Sequence, residues 1–65
     1  MNETVRVWLE KLYSDEIEEI KGTIDNERIW EWGYNGDKPN PHTENITILL
    51  EYLSILEDKL REIKM

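Results

Sequence analysis

Apolar residues recur along this chain at intervals of three and four, the spacing that puts them on one face of an α-helix. They do so in three stretches. In the first, about residues 3–13, Val5, Trp8, Leu9 and Leu12 form a stripe that places Trp8 in the core, and Asn2 stands where a helix N-cap is wanted. The second, about residues 15–32, opens on Ser14 as a cap, with Asp15 and Glu18 at capping-box spacing. Its early turns carry Asp15, Glu16, Glu18 and Glu19, where the helix dipole favours negative charge. Ile17, Ile20 and Ile24 continue the pattern, and Tyr13 extends it backwards. The spacing therefore predicts a break at Ser14, with one long bent helix as the alternative.

From Ile29 the pattern changes. Trp30, Trp32 and Tyr34 alternate as in a strand, but Asn35-Gly36 leads at once to Pro39 and Pro41, which would deny a returning strand its ladder. Gly33 is read as a helix stop, followed by a loop over residues 33–40. The third stretch, about residues 41–64, has Asn40 as its cap and Pro41 at the first helical position. Ile46, Leu49, Leu53, Leu56, Leu60 and Ile63 then follow at spacings of 3, 4, 3, 4 and 3, nearly three heptads of core positions.

That third helix is more apolar than one seam requires. Ile48, Tyr52 and Ile55 make a second stripe, and Leu50 widens the first. A helix apolar around most of its circumference is normally covered around most of it. The pattern predicts an all-α fold, a helical hairpin or three-helix up-down arrangement, completed into a bundle by homo-oligomerisation. In a three-helix monomer the second stripe would instead lie under the first helix. Parallel in-register pairing of the third helix would set Lys59 against Lys64 of the partner and leave Leu50 and Tyr52 half covered. An antiparallel arrangement or a bundle of two hairpins fits better, and a closed twofold dimer is the commonest form.

Size adds weight to that expectation. A chain of 65 residues has a thin core, and such chains often recruit disulfides, a metal or a partner. There is no cysteine and a single histidine, His42. Disulfides and thiolate metal sites are therefore excluded.

Charge narrows the partners. Eight Lys and Arg stand against fifteen Asp and Glu, a net charge of −7. The scattered basic residues cannot neutralise a run of phosphates, so no direct nucleic-acid binding and no anionic-membrane binding is expected. No apolar run approaches the ~20 residues that span a bilayer. The first residues lack a signal-peptide profile, which points to the cytoplasm. Absence of Ala, Gln and Phe beside abundant Ile, Asn, Lys and Glu suits an AT-rich genome, such as a low-GC bacterium or its phages.

Little in the sequence points to catalysis. Glu16, Glu18, Glu19 and Asp25 resemble the carboxylate clusters of helical magnesium-dependent nucleotide pyrophosphohydrolases, but Glu51, Glu57, Asp58 and Glu62 supply no matching acidic repeat on a buried face. Asn35-Gly36-Asp37 hints at a calcium loop, yet Pro39 occupies a ligand position and no closing Glu follows. His42 lacks a fixed-spacing catalytic partner and reads as a surface residue. The expectation is a non-enzymatic interaction or oligomerisation module without cofactor, catalytic or metal residues. Its interface or core residues are Ile46, Ile48, Leu49, Leu50, Tyr52, Leu53, Ile55, Leu56, Leu60 and Ile63. Trp30, Trp32 and Tyr34 either cap the bundle end or anchor a protein partner, as interfacial aromatics do. An acidic inhibitor or nucleic-acid mimic that occupies a basic protein is the competing expectation, since this charge is enough to steer association.

Overall fold

The computed structural model describes residues 2–64. The ends of the expected 1–65 domain, Met1 and Met65, lie outside them. Among the described residues the chain forms helix α1, Glu3–Trp32, a loop, and helix α2, Pro41–Lys64, with no strand. The two helices pack as a hairpin with overall dimensions of 53 × 15 × 11 Å.

Both helix starts obey their local chemistry. The Asn2 side chain accepts from the backbone N–H groups of Thr4 and Val5, satisfying donors that the first turn cannot pair internally. Asn40 does the same for α2, accepting from the His42 N–H at 3.0 Å, with Pro41 opening the helix as expected. α1 ends at Gly33, whose N–H returns to the Ile29 carbonyl at 3.2 Å. The glycine ends the helix without a left-handed backbone, because its φ is −87°.

The expected break at Ser14 is absent: α1 runs through it without interruption. The reason lies in packing. Tyr13, Ile17, Ile20 and Ile24 form one stripe against α2, and only an unbroken helix keeps Tyr13 in line with the isoleucines. The capping residues around Ser14 are outweighed, and Ser14 is an exposed mid-helix residue.

The core is small. Ile17, Ile20 and Ile24 meet Ile46 and Leu56, with Tyr13, Leu49, Leu53 and Leu60 packed around them half-buried. Five of the six heptad residues of α2 thus join the core cluster, and Ile63 is half-buried.

Trp8 departs from expectation. It stands 65% exposed, with Val5 and Leu12 exposed beside it and Leu9 half-buried, so the first stripe is not part of the buried core. Two causes combine. Val5, Trp8 and Leu12 lie about a quarter-turn around α1 from the Tyr13–Ile24 seam, at about 100° per residue. At about 1.5 Å per residue, α1 is also longer than α2, roughly 45 Å against 36 Å. Its first turns overhang the Lys64 end of α2.

Replacing Asp15 with Pro separates the two readings of this region. If Ser14 capped a helix, Pro at the next position would be tolerated. Inside continuous α1 it should cost about 3 kcal/mol or more, read as a large loss of thermal stability and helicity by circular dichroism. Near-native melting would contradict the continuous helix.

Candidate docking surface

The residues singled out in α2 divide into two sets. Ile46 and Leu56 are buried, and Leu49, Leu53, Leu60 and Ile63 are half-buried. Ile48, Tyr52 and Ile55 are 55%, 41% and 52% exposed, and Leu50 is exposed on the other flank. The second stripe does not pack under α1, because a hairpin offers α2 one neighbour and the heptad seam already takes it.

Side-chain contacts fix which way this stripe faces. The Tyr52 hydroxyl donates to the Glu16 carboxylate at 3.4 Å, and Asn45 reaches Glu27 at the same distance, 3.4 Å. Both contacts bridge the helices on one flank of the seam. Leu12 stands one turn before Glu16 on that side of α1. The overhanging stripe of Val5, Trp8 and Leu12 and the α2 stripe of Ile48, Tyr52 and Ile55 therefore share one broad side of the hairpin.

Apolar side chains gathered on one side in this way are the kind of patch that marks an interaction surface. The total area agrees. The chain exposes 5301 Å², whereas a compact monomer of its 7.9 kDa exposes about 4,400 Å². The excess of about 900 Å² is close to one partner's share of a standard interface, about 800 Å².

The loop end holds the hairpin in register through polar contacts. The Asn40 Nδ2 donates to the Glu31 carbonyl at 3.0 Å while its Oδ1 caps α2. One side chain thus serves the last turn of α1 and the first turn of α2. Thr43 donates to the Glu31 carboxylate at 2.7 Å, and His42 Nδ1 lies 2.6 Å from the Glu27 carboxylate. Glu27 and Glu31 therefore set negative charge beside the amino terminus of α2, where its dipole favours it.

His42 is consequently not a free surface residue. Its ring is half-buried, stacked with Trp30 at a centroid separation of 6.3 Å and edge-on to Tyr34 at 6.4 Å. Nothing in the sequence links His42 to Glu27, fifteen positions away, until the hairpin register is known. Of the three aromatics expected to cap the bundle or anchor a partner, Tyr34 is half-buried, with its hydroxyl donating to the Lys38 carbonyl. Its ring lies so close over Gly36 that a Cβ there would strike it. Trp30 keeps one face open, and Trp32, 90% exposed, caps nothing.

The acidic residues do not converge. Glu16 faces Tyr52, Glu18 lines a shallow groove with Lys21, Arg61 and Lys64, and Glu19 and Asp25 are exposed. Among the described residues no three His, Cys, Asp or Glu side chains are grouped to hold a metal ion, and neither helix is long and apolar enough to cross a membrane. The Arg6–Glu3 and Arg61–Asp58 pairs are exposed and contribute little. No protein-family model matches the chain, nor does any curated protein or solved structure.

Two predictions follow from the loop-end contacts. Asn40→Ala, losing both the cap and the bond to Glu31, should cost about 1–2 kcal/mol. Asn40→Asp should cost less, because it keeps the acceptor for His42 and loses only the donor. Equal melting temperatures for the two variants would show that the cap on the His42 N–H contributes nothing.

The second prediction concerns acid. Hydrogen bonding by His42 lowers the Glu27 pKa against the opposing effect of burial, and Asn45 adds to the lowering. A carboxyl depressed by folding stabilises the fold above its unfolded pKa, and that contribution fades as pH falls through the folded value. The stability gap between the native chain and Glu27→Gln should therefore be widest near neutrality and close below the ordinary glutamate range. Urea denaturation across that range measures it, and a gap independent of pH would count against the pair.

Proposed function

We propose that this chain is a non-enzymatic helical interaction module whose first partner is a second copy of itself. The observation that carries this reading is the Ile48, Tyr52 and Ile55 stripe, unpartnered and exposed on the same side as Val5, Trp8 and Leu12. A hairpin with so thin a core gains most from covering that side, and burial of apolar surface drives association at about 25 cal/mol per Å² before its costs are subtracted. The surplus of exposed area is of the size that one partner's share of a standard interface removes.

A second reading has one observation in its favour. Glu44, Glu51, Asp58 and Glu62 are exposed and recur at intervals of 7, 7 and 4, an acidic ridge beside the second apolar stripe of α2. Such a ridge suits an inhibitor or nucleic-acid mimic held on a basic protein, and binding of that kind would weaken steeply with salt. Apolar docking would not.

Sedimentation equilibrium over a wide concentration range tests the leading reading. Ile48→Asp should abolish self-association while leaving the helical signal intact, since Ile48 is exposed and outside the core cluster. Leu53→Asp should lose both fold and association, costing several kcal/mol through burial of a charge in the seam. A native chain that remains monomeric throughout would overturn the proposal.

A further inference from the structure

We propose that the exposed stripe of α2 is self-complementary, and that a second copy of α2 docks on it antiparallel, about a twofold axis beside Tyr52. This rests on the self-docking reading and adds the surface and its register. The stripe comprises Glu44, Ile48, Tyr52, Ile55 and Lys59, at spacings of 4, 4, 3 and 4, and all five are exposed. It carries an acid at its start, a base at its end and aliphatic residues placed symmetrically between them.

Turning one copy end for end about the midpoint sets Ile48 against Ile55 of the second copy, twice. The same turn sets Glu44 against Lys59, twice, and brings Tyr52 beside Glu51 across the axis. Parallel in-register docking would instead oppose Glu44 to Glu44 and Lys59 to Lys59. The charges therefore select the antiparallel register, because like charges brought together in an interface cost several kcal/mol of specificity against the wrong arrangement.

The rest of the hairpin accommodates this geometry. The stripe lies about a quarter-turn from the α1-facing seam of α2, at about 100° per residue, which is the angle between adjacent neighbours in a square four-helix bundle. The cross-helix contacts of Glu27 with Asn45 and of Glu31 with Thr43 place Tyr52 level with residues 20–22 of α1, and its hydroxyl reaches Glu16. The twofold then passes the two α1 helices near this level. It also carries the overhang bearing Trp8 towards the loop end of the second copy, where Trp30 and Trp32 are exposed.

Two measurements read the register. The chain has no native cysteine, so single-cysteine variants report proximity cleanly. An equimolar mixture of Ile48→Cys and Ile55→Cys should give mixed disulfide dimers, and neither variant alone should cross-link efficiently. In sedimentation equilibrium, Glu44→Lys and Lys59→Glu should each weaken dimerisation about tenfold, two exposed ion pairs becoming repulsive by symmetry. The double variant Glu44→Lys/Lys59→Glu should restore it, and mixing the two single variants should give a heterodimer tighter than either homodimer. A dimer in which Ile48→Cys cross-links to itself, or in which the double reversal is weaker than either single one, overturns this register while leaving self-docking in place. A native chain that is monomeric at every concentration overturns both.

Discussion

Two helices share a single line of contact, and a single line can bury one stripe of each. That constraint governs this molecule. α2 carries a heptad stripe and a second stripe about a quarter-turn away, and α1 supplies cover only for the first. Whatever is apolar on the remaining faces stays in water or meets another chain. Burial is therefore limited to a few isoleucines and leucines around Ile24 and Leu56, while large side chains such as Trp8, Trp32 and Ile48 remain exposed.

Polar chemistry at the loop end decides how the line of contact is drawn. A heptad seam between antiparallel helices can slide by a turn with little change in apolar packing, and packing alone does not fix its register. Asn40, held between the Glu31 carbonyl and the His42 N–H, and the contact of Glu27 with His42 permit one alignment. The carboxylates of α1 also complement the dipole at the start of α2. The level at which the exposed stripes of the two helices stand beside each other is thus set by side chains that bury almost no surface.

Much of this architecture was legible in the chain. The caps at Asn2 and Asn40, the position of Gly33, the loop and the heptad of α2 all follow from local chemistry, and local chemistry is what a sequence displays directly. The surplus stripe of Ile48, Tyr52 and Ile55 was legible for the same reason. Ser14 misled because a good cap with acidic followers is only a preference, worth less than keeping Tyr13 in line with Ile17, Ile20 and Ile24. Trp8 misled because periodicity reports that a helix has an apolar face, not that a neighbour reaches it. The partnership of Glu27 with His42 depends on hairpin register, a long-range property with no periodic signal, and so could not be read in advance.

The overhang of α1 has a consequence for motion. Its first turns are held by their own backbone hydrogen bonds and by the Asn2 cap, with little apolar contact beneath them. Segments of this kind open locally at small free-energy cost, whereas amides in a packed seam are released only by near-global unfolding. Protection against hydrogen exchange should consequently rise along α1 from Val5 towards Ile24. Any chain that covers Trp8 must first suppress this fraying, and part of the free energy of contact is spent on ordering the helix it contacts.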